Sequence, residues 1–305
     1  MVFLQEMIEP GPTGFLRMTV PLDSIRLLRQ RLEEILTEQL PENGQQWLFS
    51  RVDRSSTSAL LMAFVAAPRF TGKQPVSLSA ERRQELAELR PEFRLLAWPL
   101  DRVTRLYLLL QLPLENREAF TQAVETLFDT AEMNELVALY ASLPVLPYPE
   151  AWLFRASEAV RSNMGLVFEA LALGNPYPSE QFPEPAWNQL VMKTIFNDKS
   201  VGSIVGLVER SNPTLARILV DFAHERWAAG RYVPARAWQM VVPFVNEAML
   251  PDLQRLFTSD RAVDRQAAAL LCNETNFEPA RALGRQFPVE HAEQLRWENL
   301  DTQLA

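Results

Sequence analysis

Apolar residues recur three and four positions apart in segment after segment, and prolines rather than glycine turns separate the segments; a chain patterned this way is restricted to helices. Only 10 of its 305 residues are glycine, against 22 prolines. From Asp23 onward, Ile25, Leu28, Leu32, Ile35 and Leu36 fall on one face. Arg26, Arg29, Arg31, Glu33 and Glu34 stay wet, and Pro41 stops the helix. Ser79 reads as the N-cap of a helix over 80–89 and Asp101 as the cap of one over 102–112, while 115–127 carries Phe120, Val124 and Leu127 on one stripe. Prolines 91, 99, 113, 144, 147 and 149 mark most of the stops.

Two proline-rich stretches divide the rest of the chain. LPVLPYPE (143–150) is expected to be extended and stiff, and it makes the best boundary. NPYPSEQFPEP (175–185) reads as a connector, ordered if Tyr177 and Phe182 are packed. Between them, 151–173 reads as one long helix with Trp152, Ala156, Ala159, Val160, Val167, Phe168 and Leu171 inward, ended by Gly174. A helix over 186–196 and a helical turn over 201–207 come after the connector. The next helix has Asn212 as N-cap, Pro213 at its first position and Gly230 at its end. Beyond Pro251, Leu253, Leu256 and Phe257 are expected to face Ala267, Leu270 and Leu271 in one HEAT-type pair. The expected fold is all-α: a multi-helical right-handed array or bundle with HEAT/TPR-like helix pairs and no substantial β-sheet. Its regions are an N-terminal helical region (1–142), a helical core (143–250) and a C-terminal helix pair with a tail (251–305).

Hydrophobic residues at 48% and charged residues at 22% suit a folded chain, long enough for two lobes or one extended array. A net charge of -8, with no local cluster of Lys and Arg, argues against a nucleic-acid partner. Apolar runs such as 59–67 and 106–110 fall short of the roughly 20 residues that span a bilayer. Glu6 and Glu9 stand where a signal peptide needs positive charge, so no transmembrane segment and a cytoplasmic location are expected. Cys272 is alone, which excludes an intramolecular disulfide and a thiolate cage, and its apolar neighbours make it a small buried hydrophobe. His224 and His291 are too few for a multi-histidine metal site, and no glycine-rich phosphate loop appears, so no cofactor is expected.

Polar residues that sit poorly in a helical pattern gather between 161 and 231. Arg161, Ser162 and Asn163, followed by Gly165, are poor helix sequence, and Glu169 lies two turns on; the plain alternative is a surface Arg161–Glu158 pair. Trp187, Asn188 and Gln189 are adjacent and point in three directions, with Lys193 one turn beyond Gln189. Either the amides face solvent on an amphipathic helix, or at least one meets a partner. His224 stands three residues after Asp221 in DFAHERW, where a carboxylate would orient the imidazole. That pair is the acid/base candidate, against ordinary surface duty.

The runs RSNMGLVFEALAL (161–173), GNPYPSEQFPEPAWNQLVMKTIF (174–196) and GLVERSNPTLARILVDFAHERWAAGRYVPARAWQMVVPF (206–244) resemble the EboA family. The likeness is close over 151–244 and generic elsewhere. One departure is Val208, where family members carry Asp in Gly-Leu-Asp-Glu-Arg. The resemblance implies a bacterial cytoplasmic protein. Its gene cluster would also encode a UbiA-like membrane prenyltransferase, a sugar-phosphate cyclase-like enzyme, a TatD-like metal hydrolase and a sugar isomerase-like protein. It carries over, as a candidate binding surface, Arg161, Asn163, Glu169, Asn175, Tyr177, Trp187, Asn188, Lys193, Glu209, Arg210, Asn212, Asp221, His224, Glu225, Arg226 and Arg231. The implied function is a non-catalytic helical scaffold or binding protein serving the biosynthesis or export of a prenylated or cyclitol-like secondary metabolite. Its expected partners are proteins of the cluster and a small anionic metabolite. The rival is an enzyme acting on an anionic metabolite, with His224 and Asp221 as its acid/base pair.

Overall fold

The computed structural model describes residues 8–10, 16–52, 56–95, 97–289 and 292–303, and His291 lies outside them. The chain forms two compact units, Met1–Phe182 and Pro183–Ala305. They part inside the second proline-rich stretch, and 143–150 lies within the first unit. The fold is all-α, with one short antiparallel pairing of β1 (Ile8–Pro10) and β2 (Leu16–Met18).

The first unit holds helices α1 (Leu22–Gln39), α2 (Glu42–Val52), α3 (Thr57–Ala66), α4 (Pro68–Thr71), α5 (Ala80–Leu89), α6 (Leu100–Leu109), α7 (Arg117–Thr130), α8 (Met133–Ser142), α9 (Leu153–Arg161), α10 (Gly165–Ala172) and α11 (Tyr177–Gln181). The five apolar residues named in α1 are all buried, and α1 packs on α5 and α6. Helix α6 is buried around nearly its whole circumference, as a central helix must be. Ser79 caps α5 as expected, accepting from Arg82 N at 3.2 Å. Asp101 does not cap α6. The helix begins two residues earlier, because Pro99 O already accepts from Arg102 N and Val103 N, and Asp101 turns inward to pair with Arg105 at 3.3 Å. Asn43-Gly44, a sequence suited to a hairpin turn, sits inside α2, where Gly44 lies so close to Phe70 O that a Cβ would come within 2.8 Å of it.

Two further expectations need correction. The single helix over 151–173 is broken: Ser162 leaves the helical conformation, and its Oγ accepts from Met164 N at 3.1 Å, so α9 ends at Arg161 and α10 restarts at Gly165. A short hydroxyl side chain competing for local amides stops a helix at this kind of sequence. The stretch 143–150 is not uniformly extended either. It holds the 3-10 turn Leu143–Val145 and the start of another, Pro149–Trp152, because proline suits the opening positions of such turns. The connector after Gly174 is packed: it contains α11, with Tyr177 and Phe182 buried edge to face, centroids 6.3 Å apart.

These irregular segments are tied together by Arg90, just past α5. It is buried; Nε donates to Pro144 O at 2.8 Å, Nη1 to Glu180 Oε1 at 2.9 Å and Nη2 to Glu180 Oε2 at 2.5 Å. Burial pushes the Glu180 carboxyl above its ordinary value, and the hydrogen bonds from Arg90 pull it part of the way back. A carboxyl raised on folding binds its proton more tightly in the native state. Its contribution is therefore fully present below the ordinary value and lost as the pH rises through the raised one.

The second unit contains α12 (Glu184–Phe196), α13 (Pro213–Ala228), α14 (Leu250–Phe257), α15 (Ala262–Glu274) and α16 (Glu278–Gly284). The segment expected as a helical turn over 201–207 opens with the 3-10 turn Val201–Ser203. Helix α15 packs on α14, on α16 and on a 3-10 run, Ala235–Phe244. Leu253, Leu256, Phe257, Ala267, Leu270 and Leu271 are all buried. Cys272 is a buried hydrophobe as expected, its thiol pushed up to about 11 by burial; a Cβ on Gly284 would come within 2.8 Å of the Cys272 Cβ. No helix among the described residues is long and apolar enough to cross a membrane.

Removing one member of the Arg90 clamp leaves a buried charge uncompensated. Arg90→Ala should lower the unfolding free energy by about 3–5 kcal/mol in urea titrations, and the double replacement Arg90→Met with Glu180→Leu should recover most of that loss. A double variant as unstable as Arg90→Ala would refute this account.

Candidate functional site

The first unit contains a cavity of about 350 Å³. One wall is the segment after the Arg90 clamp, with Phe93, Arg94, Ala97 and Trp98. Opposite, α8 contributes Asn134, Val137 and Ala141, and α10 contributes Leu166, Glu169 and Ala170, continuing to Leu173. On α8 these residues are spaced by three, four and seven, and along α10 Leu166, Ala170 and Leu173 follow the same period with Glu169 beside Ala170. Gly174 and Asn175 close one end, and Arg102 enters from the first turn of α6. Gly174 has φ +62 and turns the chain there; Ala97 holds φ +60, which is strained for a residue with a Cβ.

Arg102 is the cavity's unusual group. Its guanidinium lies 5.5 Å from the Trp98 ring centroid and has no hydrogen-bond or ion-pair partner among the described residues. Desolvation is the largest influence on it and lowers its pKa, while Asp101 opposes and Arg105 adds to that effect. The Asp101 carboxylate is engaged by Arg105 instead. Arg94 is exposed and paired with Glu92 at 3.4 Å.

Of the residues singled out in the sequence, Glu169 and Asn175 reach this cavity. The Asn175 amide is already committed: Nδ2 donates to Tyr140 O and Ala170 O, at 3.0 and 2.9 Å, and Oδ1 accepts from Tyr177 N at 3.0 Å. Tyr177 is core, its hydroxyl donating to Pro149 O at 2.6 Å. Arg161 forms the surface pair with Glu158, and Asn163 is exposed. Arg161 lines a shallower hollow beside Tyr140, Ser162 and Met164.

In the second unit much of the singled-out set is structural. Asn212 caps α13, its Oδ1 accepting from Leu215 N at 2.8 Å. Its Nδ2 donates to Asn188 Oδ1 at 2.8 Å and Arg210 O at 3.2 Å, and Asn188 Nδ2 returns a bond to Asn212 Oδ1 at 3.3 Å. Asn188 is thus buried against a partner amide while Gln189 faces solvent, so only one of the two amides points outward. Trp187 is fully buried, and the buried Arg210 guanidinium lies 5.0 Å from its ring centroid, its pKa lowered chiefly by desolvation. Trp187, Tyr177 and Phe182 are therefore core residues and not the wall of a cleft. Lys193 is half-buried, and desolvation lowers its pKa. Glu209, Asp221 and Glu225 are exposed.

His224 does not pair with Asp221. Its Nε2 lies 2.6 Å from Oδ1 of Asp252 on α14, because the end of α13 packs so that His224 meets that helix rather than its own preceding turn. An ionised carboxylate only accepts, so it favours the tautomer with the proton on Nε2. The imidazole is half-exposed at an open hollow shared with Trp227, Arg255 and Thr258. An adjoining hollow contains Arg231, Tyr232, Asp260 and Asp264. Arg226 is engaged in folding the turn after α13, its Nε donating to Tyr232 O at 3.0 Å. No group of three or more His, Cys, Asp and Glu able to hold a metal ion occurs among the described residues.

Sequence reasoning missed Arg102, Trp98 and Asn134 in the first unit and Asp252 and Arg255 in the second. Arg102 carried a signal: a cation in the first turn of an apolar helix opposes the helix dipole. Asp252 carried none, since its meeting with His224 depends on how two helices pack.

A family model described as metabolite traffic protein EboA matches residues 28–242. No curated protein and no solved structure matches the chain. The matched region begins in α1, well upstream of the 151–244 stretch whose resemblance is close, and it includes both the cavity and the Asn188–Asn212 lock. Replacing Asn212 by Ala removes a cap and strands the Asn188 amide. The variant should lose about 2–4 kcal/mol of unfolding free energy, measured by chemical denaturation, whereas Asn212→Asp should retain the cap and lose less.

Proposed function

Because the chain belongs to the EboA family, we propose that it is a non-catalytic accessory protein that holds a small metabolite during biosynthesis or export, with the first unit's cavity as its binding site. The carrying observation is that cavity: about 350 Å³, within the range of small-molecule sites, lined by the apolar Phe93, Trp98, Val137 and Leu173 together with the polar Arg102, Asn134, Glu169 and Asn175. Its irregular walls are fixed by buried hydrogen bonds from Arg90 and Asn175, so the site is formed before any ligand arrives. Under this reading the ligand is an anionic prenylated or cyclitol-like compound. The protein works in the cytoplasm beside the UbiA-like prenyltransferase and the cyclase-like enzyme, and region 143–250 is its helical core. The motif residues at the surface, Arg161, Asn163, Glu209, Asp221, Glu225 and Arg231, then serve as contacts to those proteins.

A screen of prenyl phosphates and phosphorylated cyclitols by thermal shift tests this directly. A ligand present at 100 times its Kd adds about 2.7 kcal/mol, or roughly 5 °C in Tm for a chain of this size. The shift should vanish in Ala170→Trp, which fills the cavity. A screen without any shift, or a shift that survives the plug, would overturn the assignment.

The enzymatic alternative is favoured by one observation, the short contact between His224 and Asp252, which would orient the imidazole as a general acid or base toward an anion held by Arg255. On the preferred reading, His224→Ala leaves product yield in the producing cell unchanged. A loss of product from a variant that still folds would move the assignment to the second unit.

A further inference from the structure

Arg102 is a half-buried cation with no hydrogen-bond or ion-pair partner among the described residues, at the wall of a cavity of mixed polar and apolar lining. Desolvating a guanidinium is costly, and proteins normally offset the cost with a carboxylate. Here the nearby carboxylate, Asp101, is already used by Arg105. The location adds to the imbalance: Arg102 stands in the first turn of α6, where the helix dipole is also positive. The first-turn amides of α6 donate to Gln74 O, Gly72 O and Pro99 O, which leaves the guanidinium as the group free to receive an anion. Arg94, the other arginine of the cavity, is paired with Glu92, so Arg102 is the arginine available to a ligand there.

We propose, building on the holding function assigned above, that the cavity takes an amphipathic organic anion. Its carboxylate or phosphate pairs with Arg102, and its apolar part lies along Phe93, Trp98 and Leu173. The planar guanidinium matches either oxyanion through two parallel hydrogen bonds. The Trp98 ring holds the guanidinium from one side, so its edge remains available to the ligand. Glu169 on α10 also lines the cavity, and Arg102 accommodates a single anionic head. Leu166, about half exposed, forms an apolar rim past which a longer chain leaves the cavity.

Titration calorimetry on the full chain with octyl phosphate, octanoate and the neutral octanol tests the proposal, each probe below its micelle concentration. At least one anion should bind about tenfold more tightly than octanol, as a charge-assisted hydrogen bond implies. Arg102→Gln should remove that advantage, Arg102→Lys should keep part of it, and Ala170→Trp should abolish binding of all three. Comparison of the two anions tells phosphate from carboxylate. Equal affinity for octanol and both anions, or anion binding indifferent to Arg102→Gln in a variant of unchanged Tm, would overturn the charge assignment. If Ala170→Trp still abolishes binding in that case, the cavity reading survives; if the plug has no effect, both fail.

Discussion

The clamp of Arg90 on Glu180 and Pro144 O is the interaction on which the first unit's architecture turns. The two segments it holds lead straight into the cavity: Phe93 to Trp98 follow Arg90, and Gly174 and Asn175 precede the helix that carries Glu180. Their backbone hydrogen bonds are chiefly short-range turns and one short helix. A fork of donors meeting a carboxylate supplies direction where helical geometry cannot. Burial works against the charge on Glu180, so the pair contributes geometry more than stability.

The same use of buried polar groups recurs at Asn175 and at Asn188 with Asn212. In each case an amide commits its hydrogen-bonding capacity to backbone or to another amide, which fixes a loop beside a helix end. Satisfied networks of this kind make irregular segments rigid without a large core. Several residues of the family motif, among them Asn188, Asn212 and Tyr177, are engaged in hydrogen bonds that shape the protein, while Glu169 and Asn175 line the cavity that Arg102 enters.

The two units offer different chemistry. The first has a cavity lined by both polar and apolar groups, with a cation that has no ion-pair partner among the described residues. The second has open hollows lined by charge of both signs, including His224 oriented by Asp252 and Arg255 stacked 4.8 Å over Trp227.

While leaving to the structure whether Tyr177 and Phe182 are packed, sequence alone determined the helical class, the buried stripe of α1, the caps at Ser79 and Asn212 and the role of Cys272. Each is a local property, set by residues within one or two turns. It also marked 161–163 as poor helix, yet the long helix drawn through that point missed the break, because Ser162 decides it by a bond to a neighbouring amide. Glu169 was legible as a misfit. Arg102, the Arg90 clamp and the pairing of His224 with Asp252 instead of Asp221 belong to the tertiary structure. They join residues 28 to 90 positions apart or depend on which helix lies opposite, and the helical period carries no information about that choice.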